Sequence, residues 1–232
     1  MLQDHRGLSV STTSAVALAH FETALTQFHA YRGDPIATID AALAEDDAFV
    51  LCHLFRAFVL ASTAEGRHLP AAQAAMARAA SFFARANPRE RALIVAGRQL
   101  VNGEWHAAGR SFDAVLREWP RDALALQTAH LFDFLRGDAL NLRNRVSRVL
   151  PSWDDSVPGY SYVLGMHAFG LEECNQYAEA EATGRRALDM LPADGWAVHA
   201  VAHVMEMQGR IDEGIAWLTT READWATSDN AF

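Results

Sequence analysis

An all-α solenoid of stacked helical hairpins is the fold this chain predicts, on three observations. Turn-forming residues recur at Gly33, Gly66, Gly103, Gly137, Asn175 and Gly209, separated by 33, 37, 34, 38 and 34 residues. Each marker follows one helical-looking segment and precedes another, so the repeating unit reads as helix, turn, helix. The segments carry almost no β-branched alternation, which leaves no pattern from which a sheet could form. One such unit cannot bury its apolar stripe alone, so neighbouring units must stack.

Six approximate units start near residues 19, 52, 89, 123, 161 and 195. Two are clean. One runs from Arg91 to Val101, turns at Asn102-Gly103-Glu104, continues from Trp105 to Glu118 and stops at Trp119-Pro120. The other runs from Ser161 through Asn175-Gln176 to Leu191-Pro192. Small residues stand where two helices must approach closely, at Ala96 and Ala108 in the first and at Ala168 and Ala180 in the second. A period of about 34 residues marks tetratricopeptide repeats. The expectation is therefore a right-handed superhelical α-solenoid of tetratricopeptide-like repeats, with residues 1–232 as a single repeat domain. Its ends are irregular. A hydroxyl-rich lead-in, Gly7 to Ser14, offers a Ser or Thr to cap the first helix. The run after Trp225 shows no polar closing helix, which predicts exposed apolar surface on the last hairpin and self-association through it.

Composition narrows the function classes. Half the residues are apolar, which argues against disorder. All 20 basic residues are Arg, and with 29 acidic ones they leave a net charge of −9. An acidic chain gains nothing on average from a polyanion, so neither nucleic acid nor an anionic membrane is expected as partner. Arg136, Arg143, Arg145 and Arg148 form the one local exception, read first as a solvated helix face and second as an anion site. Cys52 and Cys174 are too few and too far apart for a disulfide framework or a cysteine-based zinc site. The first residues lack a signal pattern, and no stretch reaches the ~20 apolar residues of a membrane span. A cytoplasmic protein is expected.

Several stretches resemble the tetratricopeptide repeat protein 38 family, found in animals and bacteria. They are Leu8-Ser9 with Ser11-Thr12-Thr13-Ser14; Leu25-Thr26-Gln27; Arg89-Glu90 with Asn102-Gly103; Trp119 to Leu126; Tyr162-Val163 through Phe169 to Glu173; and Asp194 to His199 through His203 to Met207. They occur in family order along the whole chain. The resemblance implies a bacterial member whose relatives are longer, so that this sequence corresponds to an N-terminal portion, and it implies no defined activity.

Tetratricopeptide repeats bind through the inner face of each first helix. Counted from the unit starts, the inward polar positions are His20, Gln27, His53, Arg56, Gln127, Tyr162, Glu172, Glu173, Trp196, His199, His203 and Glu206. The densest group lies on Asp194 to Gly209, where His199, His203 and Glu206 share one helix face at i, i+4 and i+7. Two imidazoles one turn apart with a carboxylate beside them are a donor set for a divalent metal such as zinc or iron. Ala200 stands where the His-Glu-x-x-His peptidases carry their Glu, so a further ligand would have to come from Glu172 or Glu173 on the neighbouring helix, or from the downstream part that the longer relatives carry. The two glutamates are adjacent and ~100° apart on a helix, which predicts that only one reaches a shared centre. The plainer reading has both imidazoles hydrogen-bonded in a groove or packed between helices. His130 and His167 read as core histidines. Trp105, Trp119, Trp153, Trp217 and Trp225 read as packing or loop anchors, and Trp196 as a groove indole. No nucleophile motif and no Gly-rich phosphate loop occurs. The sequence thus predicts a binding or scaffold protein whose groove captures a peptide segment or small polar ligand. The alternative is a metal-dependent or His/Glu acid–base enzyme, hydrolase-like, in the same groove.

Overall fold

Residues 2–226 are described by a computed structural model. Among them the chain forms thirteen α-helices joined by turns, with one isolated antiparallel bridge, Gln3 to Ser9, and no strand. In order they are α1 (Ala15–Ala30), α2 (Pro35–Glu45), α3 (Val50–Ser62), α4 (Leu69–Ser81), α5 (Pro88–Val101), α6 (Trp105–Glu118), α7 (Ala123–Leu135), α8 (Ala139–Val149), α9 (Tyr160–Glu172), α10 (Tyr177–Met190), α11 (Gly195–Met207), α12 (Ile211–Thr220) and α13 (Glu222–Trp225). Within the first unit successive helices from α2 to α7 pack on one another, and within the second those from α8 to α12 do; α3 also packs on α5 and α7, and α9 on α11. That is the packing order of a helical-repeat solenoid.

The repeat markers act through backbone geometry. Gly33, Gly103, Gly137 and Gly209 have φ of 73°, 79°, 65° and 69°, and Asn175 follows them at 60°. A left-handed residue at a helix end turns the chain back while satisfying its last carbonyls. Gly66 departs from the series: it opens a short 3-10 turn, and the left-handed residue of that loop is Ala64, at φ 54°. Helix starts follow side-chain chemistry. Asp34, Asp122 and Asp194 each accept a hydrogen bond from a backbone N–H in the first turn of the helix they precede. Asn87 and Glu90 close a capping box around Pro88.

Contacts divide the chain into two compact units, residues 1–28 with 34–136 and residues 29–33 with 137–232. The first unit holds an aromatic core in which Phe21 meets Phe49 and Phe55 at 5.7 and 6.1 Å, Phe58 meets Phe112 at 5.5 Å, and Trp105 meets Phe132 at 5.1 Å. Its lead-in segment does more than cap. Ser14 Oγ accepts from Ala17 N as expected, while Thr12 Oγ1 donates to Asp46 and Ser11 Oγ accepts from Val50 N. Asn87 and Arg89 both donate to the Ser9 carbonyl at 3.0 Å. Arg89 also lies 3.4 Å from Asp4 and 3.2 Å from Asp122, and Arg6 grips Glu22 through both carboxylate oxygens at 2.8 Å. These charges are buried but paired, the condition under which burial is tolerated.

In the second unit small residues set the helix spacing. Ala168 and Ala180 are fully buried, as Ala96 and Ala108 are in the first. Gly170 lies so close to α8 that a Cβ there would stand 2.6 Å from the Arg143 N and the Leu142 carbonyl carbon. Gly165 meets α11 in the same way, 2.9 Å from Asp194 Oδ1 and Trp196 Cβ. Residues 29–33 join this unit: His29 stacks on Tyr162 at 5.3 Å, and the Tyr31 ring meets Trp196 edge-on at 5.6 Å. The predicted arginine face is not a uniformly solvated one. Arg145 is fully buried, Arg143 donates to Gln176 Oε1, and Arg136, in the first unit, pairs with Asp133. The terminal run 227–232 lies outside the described residues.

Candidate functional site

Helices α9 and α11 build the densest polar cluster of the second unit. Gly165 brings them together near the start of α11, so the end of α9 comes to lie beside the third turn of α11. Glu172 is the last residue of α9 and Glu173 its C-cap; His199 and His203 lie one turn apart on α11. His203 Nδ1 stands 3.7 Å from Glu172 Oε2. One ligand atom each from Glu172, Glu173 and His203 lie within 4.8 Å of one another. The two imidazole rings sit 4.3 Å apart, and Phe169 closes against both, at 5.4 Å from His199 and 6.1 Å from His203.

This geometry corrects two expectations. Both adjacent glutamates reach the shared centre, because a two-methylene side chain at a helix end bridges the angular offset that separates their Cβ atoms. Glu206 is exposed and lies outside the three-residue set, although its charge acts on His203. The donors that converge are therefore Glu172, Glu173 and His203 rather than His199, His203 and Glu206.

The same surroundings drive the two imidazoles apart. His203 is raised above its ordinary pKa, first by its interaction with the Glu172 carboxylate and then by the charges of Glu206 and Glu173, against partial burial. His199 is pushed down to about 4, first by burial and then by the neighbouring His203. Glu173 is raised by burial and by the charge of Glu172. At neutral pH the cluster thus holds a neutral ring beside one that retains its proton more firmly, next to two carboxylates. Such a set can bind a cation, accept hydrogen bonds from a basic group, or relay a proton between imidazole and carboxylate.

The remaining predicted positions take other roles. Tyr162 is buried against His29, with its hydroxyl pushed up to about 12 by burial. Trp196 is 5% exposed, packed between Tyr31 and Phe169, so it is a core indole rather than a groove platform. In the first unit His53 is buried, its Nε2 2.9 Å from the Asp47 carbonyl and its ring stacked on Phe82; Gln127 is buried and donates to the Phe28 carbonyl. Packing explains all four: a large side chain on the first helix of a repeat fills the space between hairpins before it can line a surface. Arg56 pairs with Asp40, and His20 is half-buried. Gln27 is also half-buried. His130 is a fully buried core histidine, whereas His167 is half-buried and shares an exposed 2.9 Å hydrogen bond with Ser147 Oγ, so it is not a core residue. No periodicity in the sequence marks the polar clasp of Asp4, Arg6, Glu22, Arg89 and Asp122; Arg89 and Asp122 stand out only as members of stretches that resemble one family.

No family model matches the chain. Among curated proteins it is similar to the cellulose synthase 1 operon protein C of Komagataeibacter xylinus, at 28% identity over 121 residues, or 52% of this chain. The chain spans 9% of that relative's length. The helical-repeat architecture rests on the packing of the helices themselves. Among the described residues no helix is long and apolar enough to cross a membrane.

Proposed function

We propose that this chain is a protein-interaction module that captures a basic peptide segment on the face shared by α9 and α11. The observation that supports it is the exposed pair Glu173 and Glu206, which flank a half-buried His203 at the end of a helical-repeat hairpin. An acidic rim around a partly desolvated imidazole–carboxylate pair favours a lysine or arginine side chain, and the chain's net charge of −9 steers such a partner toward it. Helical-repeat solenoids present extended surfaces that commonly bind partner segments, which makes protein interaction the general expectation for the fold. On the stretches quoted above we also infer kinship with the tetratricopeptide repeat protein 38 family.

Fluorescence anisotropy with labelled basic and acidic dodecapeptides tests the reading. The basic set binds, the acidic set does not, and a Glu173→Gln, Glu206→Gln double variant weakens capture about tenfold, the loss of ~1.4 kcal/mol. Because both side chains are exposed, helicity stays unchanged. Equal binding of both peptide classes, or binding unaffected by the double variant, refutes it. Trp196→Ala is a poor probe, since it empties a core position.

A further inference from the structure

We infer that Glu172, Glu173 and His203 form a site for one divalent transition-metal cation of the zinc class. This goes beyond the peptide reading and does not depend on it. Three features carry it. The ligand atoms come from two elements, the end of α9 and the third turn of α11, and lie within 4.8 Å of one another. Glu172 is only 4% exposed, and among the described residues its Oε2 makes no hydrogen bond, only a long ion-pair contact of 3.7 Å to His203 Nδ1. A buried carboxylate oxygen left in that state carries a desolvation cost that a bound cation offsets. Donor chemistry fits the same conclusion: one imidazole nitrogen and two carboxylate oxygens suit zinc and its first-row neighbours, whereas calcium or magnesium would take oxygen alone.

The required movement is small. Ligands held ~2.1 Å from a tetrahedral ion stand roughly 3.4 Å apart, so the Glu172–His203 separation needs little change. Glu173 lies exposed at the helix end, where rotation about its own side-chain bonds closes the rest. Three protein donors leave the fourth position for water, the open arrangement of zinc sites rather than the closed structural one. His199, ring to ring with His203 at 4.3 Å, and Phe169 beside both rings hold the ligating imidazole in place.

Isothermal titration of the chelator-stripped full chain with zinc chloride, with cobalt(II) absorption as a readout of coordination, tests the site. We expect one equivalent bound with a Kd of about 10 µM or tighter. His203→Ala and Glu173→Gln each weaken it at least about tenfold and change the cobalt spectrum. Asp189→Asn, exposed near the end of α10 and outside the cluster, binds as the parent does. Glu173 is exposed, so its substitution leaves the far-UV signal intact even where His203→Ala perturbs the fold. The inference is overturned if the parent takes up no zinc, if uptake survives both ligand substitutions, or if Asp189→Asn abolishes it while Glu173→Gln does not.

Discussion

Adding one methyl group at Gly170 is the sharpest test of how the second unit is assembled. The new Cβ would lie 2.6 Å from the Arg143 amide nitrogen and from the Leu142 carbonyl carbon, and 2.7 Å from the Arg143 Cα. All three are main-chain atoms of α8, so no side chain can swing aside. Restoring ordinary contact of about 3.4 Å requires α9 to withdraw from α8 by roughly 0.8 Å, with loss of the dispersion contacts between them. Overpacking of this kind costs about 1–3 kcal/mol, and an unyielding backbone places it at the upper end. Ala gains up to ~1 kcal/mol over Gly in a helix interior, so the net loss is about 2 kcal/mol. For a chain of this size that lowers the thermal midpoint by roughly 4–8 °C. Gly214→Ala is the control, because its Cβ meets Met205 Cβ at 3.5 Å, ordinary contact, and only the helix gain remains. Far-UV melts should show a fall for Gly170→Ala and a rise of up to ~4 °C for Gly214→Ala. A Gly170→Ala midpoint within about 1 °C of the parent would refute the close crossing of α8 and α9.

Three other outcomes follow from the geometry. Arg89→Ala leaves the buried Asp4 and Asp122 carboxylates without their guanidinium, and urea unfolding should record a loss of about 3–5 kcal/mol; a change below ~1 kcal/mol contradicts the clasp. The depressed pKa of His199 makes its contribution present above pH 6.5 and lost as pH falls toward about 4, because the unfolded chain then binds the proton first. His199→Gln should therefore flatten the acid limb of the stability curve by up to about 3 kcal/mol, and an unchanged limb argues otherwise. Met207, Ile211 and Ile215 are more than half exposed around α12, so the chain should self-associate in sedimentation runs at high concentration, and Ile211→Glu with Ile215→Glu should return it to monomer. A parent that sediments strictly as a monomer contradicts that expectation.

The repeat architecture was legible because its signals are local. A left-handed glycine and an aspartate cap each act within one turn of chain and recur about every 34 residues, and five of the six expected turn markers adopt φ between 60° and 79°. Helix starts at Val50, Pro88, Ala123, Tyr160 and Gly195 fall within two residues of the unit starts read from the sequence. The site was legible only in part. Helical periodicity placed His199 and His203 on one face of α11, but choosing the carboxylates that join them depends on how far a side chain at the end of α9 reaches, which no periodicity encodes. Trp196, His53 and Gln127 illustrate a second limit: position on a first helix does not say whether neighbouring hairpins close over a side chain. The clasp from Asp4 to Arg89 spans 85 residues of sequence and leaves no periodic trace.

The account rests on Glu172 and Glu173 meeting the imidazoles of α11, and long-range proton–nitrogen correlation spectra of the histidine rings, followed through a pH titration, test it most directly. His203 should titrate above its ordinary value of 6.5 and His199 far below it, near 4, and Glu172→Gln should pull His203 back down. Two rings that titrate together near 6.5, unmoved by Glu172→Gln, would contradict it.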